Sequence, residues 1–258
     1  MKTFRLIRMV LYATFTNFLF ASCDKEEDVP QYVLFTDNKE LTKIVTTLSD
    51  PSINFLEILD FNYDNEGKLI EATFTNSGKN QIKTTYTWSN NEISAPKETD
   101  YGSEYIQKYK LKNGLIQDSD LKYNDSGHPK EYMGISYMWD NDKLIRASQE
   151  AYTTEHKVII SSNYYYDESS KVCNGYNPLV VKFVTNEEYL LFAHPELMGI
   201  RTTQLPIRYI YTDGYIGGSN DMIQRTFSYK FDNDGYITEI REKSQGHWVE
   251  TIYTLTWE

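Results

Sequence analysis

One short pattern recurs along this chain and constrains its fold more than any other feature. Two aromatics separated by one residue are followed by a run of Asp and Asn, then Gly or a substitute, then an apolar residue. It reads Phe61-Asn62-Tyr63-Asp64-Asn65-Glu66-Gly67-Lys68-Leu69 and returns as Tyr229-Lys230-Phe231-Asp232-Asn233-Asp234-Gly235-Tyr236-Ile237. Other copies begin at Leu121, Tyr137 and Tyr164, with looser ones at Tyr86 and Tyr109. Each copy has a mechanical reading. The alternating aromatics end a strand, where successive side chains point to opposite faces. Asp and Asn make the turn because their short side chains bond the local backbone and tolerate left-handed geometry. Gly takes the positive φ of a turn closed by a bulge, and the apolar residue starts the returning strand.

The intervening segments alternate with a period of two, the half-buried antiparallel signature. Ile70, Ala72 and Phe74 share a face; so do Ile82, Thr84, Tyr86 and Trp88, and Val249, Thr251, Tyr253, Leu255 and Trp257. From Tyr63 to Tyr166 the copies lie between 12 and 27 residues apart, whereas a solenoid keeps a fixed period. The predicted fold is all-β: a strongly curved antiparallel meander, a half-barrel or open barrel, which limits exposed edges by curling. One short helical insertion near 186–199 breaks the pattern, with Pro195 tolerated near a helix start and Gly199 ending it. It is expected to plug or cap the sheet.

The N-terminus reads as a lipoprotein signal peptide over residues 1–22. Lys2, Arg5 and Arg8 precede an apolar run, Met9 to Phe20, which is too short to span a bilayer, since that takes roughly 20 apolar residues. Ala21 and Ser22 are the small residues such a cleavage needs, leaving Cys23 first in the mature chain and lipidated. An ordinary signal peptide beside an incidental cysteine is the plainer alternative. Residues 23–39 read as an acidic tether and 40–258 as a single antiparallel β domain. Asp24-Lys25-Glu26-Glu27-Asp28 resembles the lysine-plus-acidic tether of Bacteroidetes lipoproteins flipped to the outer face of the outer membrane. That resemblance assigns Lys25, Glu26, Glu27 and Asp28 to export; charge density of this kind also makes a solvated linker.

Charge narrows the partners. The signal holds three of the 26 basic residues and none of the 37 acids, so the mature chain is more acidic than the net −11 of the whole. An acidic surface without a basic stripe argues against nucleic acid. Membrane attachment falls to the N-terminal lipid, and stable anchoring takes two or more acyl chains. Of the two cysteines, lipidation of Cys23 leaves Cys173 without a partner, a structural thiol. The four histidines are far apart and show no zinc spacing. Asn62-x-Asp64-x-Glu66-Gly67 partly fits a calcium loop, but Thr73 stands where the closing Glu is required. No metal site, cofactor or catalytic constellation is expected, and the reading is non-enzymatic.

The hairpin repeat, His194-Pro195-Glu196-Leu197-Met198-Gly199, Leu205-Pro206 and the terminal Tyr253-Thr254-Leu255-Thr256-Trp257-Glu258 together resemble an uncharacterised family of Bacteroidetes lipoproteins with a porin-like fold. The resemblance covers roughly residues 40–258 and implies a curved sheet similar in kind to lipid-carrier half-barrels. It carries no functional residues, because the family has no established activity. The Tyr-x-Tyr-Asp-x-x-Gly motif also looks like the longer, more regular arrays of secreted toxin shells. The resulting expectation is a lipid-anchored, cell-surface protein of the outer membrane that binds an apolar or amphipathic ligand on its curved sheet. Tyr86, Trp88, Tyr137 and Trp139 are the candidate ligand contacts, with core packing as their simpler role. A glycan- or protein-binding surface module is the alternative.

Overall fold

A computed structural model describes residues 39–78, 80–98, 104–152, 157–167, 170–185, 188–213 and 221–258. Cys23 and the tether residues Lys25, Glu26, Glu27 and Asp28 lie outside the described residues. The described strands are β1 (Leu41–Leu48), β2 (Leu56–Tyr63), β3 (Leu69–Asn76), β4 (Gln81–Thr85), β5 (Thr87–Ser89), β6 (Glu92–Glu98), β7 (Glu104–Lys112), β8 (Leu115–Gln117) and β9 (Leu121–Tyr123). They continue as β10 (Pro129–Tyr132), β11 (Ile135–Asp140), β12 (Lys143–Tyr152), β13 (Lys157–Tyr165), β14 (Arg208–Asp213), β15 (Asp221–Phe231), β16 (Ile237–Ser244) and β17 (Glu250–Trp257). Thirteen form one open antiparallel sheet in the order β4-β3-β2-β1-β17-β16-β15-β14-β13-β12-β11-β10-β9. Every neighbour in it is a chain neighbour except β1 and β17, which bring the two ends of the domain together through pairs such as Ile44↔Leu255. A second sheet, β5-β6-β7-β8, falls in the chain between the two edges of the first.

The hairpin repeat builds turns of one construction. Asp64 N–H donates to Lys68 O at 2.9 Å, Gly67 N–H returns to Asp64 O at 3.1 Å, and Asp64 Oδ1 accepts from Glu66 and Lys68 N–H at 2.8 and 3.0 Å. Asn124 repeats the four bonds with Ser126, Gly127 and His128, and Asp232 with Asp234, Gly235 and Tyr236. The acidic turns therefore spend their first carboxylate or amide on backbone. The bulge follows in register: pairing slips between Asn62 and Tyr63 opposite β3 and between Lys230 and Phe231 opposite β16. That slip exposes Ile70 while Leu69 and Ala72 are buried, so the face predicted for Ile70, Ala72 and Phe74 is broken at its first member.

A second aromatic that is Tyr or Trp, and likewise the terminal Trp257, has a further task. Its polar tip donates to a carbonyl of a preceding strand: Tyr63 to Leu41 O at 2.8 Å, Trp139 to Pro129 O at 2.7 Å, Tyr166 to Leu144 O at 3.2 Å and Trp257 to Ile237 O at 2.7 Å. Two such bonds cross between the sheets, Trp88 Nε1 to Leu69 O and Tyr123 Oη to Ile116 O, both at 2.8 Å. The segment predicted as one strand from Ile82 to Trp88 divides at Tyr86, where the chain passes from the large sheet to the small one. Tyr86 N–H still bonds Ile70 O at 2.9 Å in the β3–β4 register, and its hydroxyl accepts from the Leu190 backbone.

The long β13–β14 connection enters the concave side. A one-pair antiparallel stem, Val172↔Gln204, carries α1 (Pro178–Thr185), α2 (Tyr189–Ala193) and a 3₁₀ turn, Pro195–Met198. The helical insertion predicted over 186–199 thus begins earlier, at Pro178. Its start was written in Asn177-Pro178: Asn177 Oδ1 accepts from Leu179 N–H at 3.0 Å and proline occupies the first helical position, where it costs nothing. The β-branched pair Val180-Val181 that follows favours strand by itself. Leu179, Val180, Val181, Leu190, Leu191, Leu197 and Met198 are all buried, so the plug forms the core with the inner face of the sheet.

The plug also demonstrates the curvature. It touches β3 through Phe74 stacked on Tyr189, β17 through Lys182 over Tyr253, and β11 through Tyr137 Oη donating to Val184 O at 3.1 Å. β3 and β11 are nine strand spacings apart in the sheet, about 43 Å if flat at ~4.8 Å each. A helix is roughly 10–12 Å across, so the sheet must curl around it.

Candidate functional site

Between the plug and strands β1, β2, β3, β16 and β17 the filling is incomplete. A cleft of about 180 Å³ remains, lined by Ile44, Leu59, Phe74, Leu179, Phe192, Ile240 and Leu255, with Thr46, Glu57, Pro178, Lys182, Tyr189 and Tyr253 completing the wall. The sheet residues come from alternate positions, because only every second side chain of a strand faces inward. Ile240↔Tyr253 and Ile44↔Leu255 are cross-strand pairs, which sets four lining groups side by side. The helical contribution comes from Leu179 and Lys182 three residues apart on α1, one face of a helix.

The polar groups are few. Thr46, Glu57 and Lys182 are half-buried, and the Lys182 ammonium lies 5.9 Å from the Tyr253 ring centre. Tyr253 Oη donates to Glu242 Oε2 at 2.8 Å, and Glu242 also holds Arg225. Burial, and then the Glu242 charge, push the Tyr253 hydroxyl well above its ordinary pKa. It stays a neutral donor turned away from the cleft. A cavity of roughly 150 Å³ lined by Leu, Ile and Phe stays dry and admits benzene, so this cleft is of a size for a ring or a short run of alkyl chain.

The four aromatics singled out from sequence lie elsewhere. Tyr86 and Trp88 come together along an open groove with Asp64, Glu66, Lys68 and Ile70. Tyr137 and Trp139 do not join them. Tyr86 and Tyr137 are 5% and 7% exposed, and their hydroxyls hold α2 and α1 in place. Trp88 and Trp139 spend their indole N–H on backbone. Trp139 stacks on His128, ring centres 4.8 Å apart, whose Nδ1 meets Gly199 O at 2.7 Å and whose Nε2 meets Asp142 at 3.0 Å. His194 is occupied too: Nε2 accepts from Leu69 N–H at 3.1 Å and Nδ1 donates to Glu196 at 3.0 Å, which sets the tautomer. Cys173 is a buried free thiol; its Sγ donates to Thr203 O at 3.3 Å, and burial pushes its pKa up to about 12, which keeps it unreactive. The aliphatic lining of the cleft escaped sequence reasoning because β-sheet cores and β-sheet cavities are written in the same residues. Tyr253, Leu255 and Phe74 stood in the period-two pattern, but nothing in it marks where packing stops.

Two solved structures share this architecture. A porin-like protein from Bacteroides uniformis aligns over 84% of this chain and 98% of its own, with a TM-score of 0.51 and 15% identity. The fold is porin-like. A second porin-like protein, from Bacteroides vulgatus, aligns over 85% of this chain and 99% of its own, with a TM-score of 0.51 and 13% identity. At such identity the likeness is one of fold. No protein-family model and no curated protein matches the chain.

Proposed function

We propose that this protein is a non-enzymatic lipoprotein of the outer membrane, displayed at the cell surface, that binds an apolar or amphipathic ligand in the cleft beneath its helical plug. The observation that carries the reading is that cleft: aliphatic and aromatic walls, a volume of about 180 Å³, and polar side chains confined, among the described residues, to Thr46, Glu57, Lys182 and two tyrosines. Small-molecule sites are largely apolar with a few placed polar groups. An apolar ring or chain segment would sit against Leu59, Ile240 and Leu255, its polar end towards Glu57 and Lys182. The N-terminal segment ending in Cys23 supports lipid anchoring, the Lys25 to Asp28 run supports export to the outer face, and the porin-like neighbours from Bacteroides support an outer-membrane setting.

Native mass spectrometry of the protein purified from its own host tests the ligand. A co-purifying apolar molecule is expected, and Leu255→Trp, which fills the cleft, should lose it. A protein that carries nothing and also fails to bind a fluorescent apolar probe would overturn the reading. Cys23→Ser tests the anchor: the β domain should stay folded and leave the membrane fraction. A variant still firmly membrane-bound refutes lipidation at Cys23.

A further inference from the structure

The discontinuity between the two sheets leaves a second cleft. β8 and β9 are consecutive in the chain but belong to different sheets, so no strand ladder closes the space between them. A cavity of about 280 Å³ lies there, floored by plug residues Leu191 and Met198 and walled by Tyr105, Tyr109 and Tyr132. Beside the neutral Gln107, its charged groups are acidic: Asp118 and Asp120 from the β8–β9 turn and Glu188 ahead of α2, with no lysine or arginine in the lining among the described residues. Glu188 is held by Lys97 at 2.7 Å and by the Tyr109 hydroxyl at 2.9 Å. Asp118 and Asp120 form no ion pair among the described residues. Asp118 Oδ1 accepts from Asp120 N–H at 2.8 Å, and both carboxylates are exposed. Tyr105 is 45% exposed and Met133, at the lip, 56%. The Tyr132 hydroxyl is pushed up to about 12 by burial and then by the charges of Glu188, Asp118 and Asp120.

Aromatic faces attract cations through their quadrupole, and two uncompensated carboxylates attract them by charge. An anion meets repulsion from the same groups, and a neutral apolar body has no use for them. We propose that this cleft binds an organic ammonium ion, a protonated amine or quaternary ammonium carried on a small apolar body, held by Tyr105, Tyr132 and the Asp118 and Asp120 carboxylates. The site is separate from the apolar cleft, and its occupancy does not depend on a ligand there.

Calorimetric titration of the full-length protein in a neutral detergent distinguishes the ligand classes. Benzyltrimethylammonium and benzylammonium should bind at least 10-fold more tightly than benzyl alcohol or methyl glucoside. The cation affinity should fall with added salt. D118N/D120N should weaken cation binding at least 10-fold at an unchanged melting temperature, because the amide at 118 keeps the acceptor for the 120 N–H. Equal binding of benzyl alcohol, tighter binding of the glucoside, indifference to D118N/D120N, or no binding of either cation would each overturn the assignment.

Discussion

Gly199→Ala should unseat the plug from the hairpin rim. Gly199 closes the 3₁₀ turn with φ of 69°, a left-handed conformation that costs an L-residue about 1–2 kcal/mol. A β-carbon there would stand 1.9 Å from Gly127 O and 2.9 Å from Gly127 C. Neither atom can swing aside, since both are backbone of the Asn124 turn, itself tied by four hydrogen bonds. The plug and the hairpin would have to part by more than 1 Å. Overpacking of this kind costs about 1–3 kcal/mol, and the separation would also stretch the bond from His128 Nδ1 to Gly199 O, worth about 1 kcal/mol. The loss should reach about 3–6 kcal/mol, or ~6–24 °C in melting temperature for a domain of about 200 residues. Gly246 supplies the control. Its φ of 79° is of the same class, and nothing lies within 4 Å of its would-be β-carbon, so Gly246→Ala should lose only the backbone strain. Urea unfolding of both variants, read at the midpoint with a common slope, separates strain from collision. Equal losses for the two substitutions would refute the claim that the plug is seated on Gly127.

Three further outcomes follow from particular bonds. Asp64→Ala should cost about 1 kcal/mol by removing the acceptor for Glu66 and Lys68 N–H, whereas Asp64→Asn should be close to neutral; denaturant midpoints of the pair check this. Tyr137→Phe leaves Val184 O without its donor inside the core and should cost about 1–3 kcal/mol, seen as a lower melting temperature with the far-ultraviolet spectrum unchanged. Glu40 has its pKa raised from 4.5, chiefly by burial. Its folded state binds the proton more tightly than the unfolded chain, so ionisation works against folding as pH rises through and above 4.5. Glu40→Gln should therefore match the wild type at pH 4 and exceed its stability at pH 7; a constant difference across that range would refute the burial argument.

The seam between the sheets shows why some elements were legible and others were not. Turn chemistry is local: Asp64, Asn124 and Asp232 each bond backbone within four residues, so a few adjacent letters specify each hairpin and its bulge. Strand alternation is equally local, and it placed Tyr253, Leu255 and Trp257 on the buried face. The division at Tyr86 was not legible, because the alternation runs through it unbroken and nothing local marks where the chain changes sheet. The early start of α1 carries a local signal in Asn177-Pro178, but Val180 and Val181 favour strand, a preference that yields to burial on all sides.

By itself, then, the chain's sequence determined an antiparallel meander with Asp- and Asn-built turns, an acidic character and a helical interruption before Gly199. These follow from interactions spanning a few residues or from composition. Only the tertiary structure decided that the interruption starts at Pro178 and fills the concavity, that the meander breaks into two sheets, and that the recurrent Trp and Tyr tips are committed to backbone carbonyls. It alone placed the two clefts, because a cavity is space left over when elements distant in sequence, β1, β17 and α1 in one case and β7, β10 and α2 in the other, are packed together, and no local pattern records what fails to be filled.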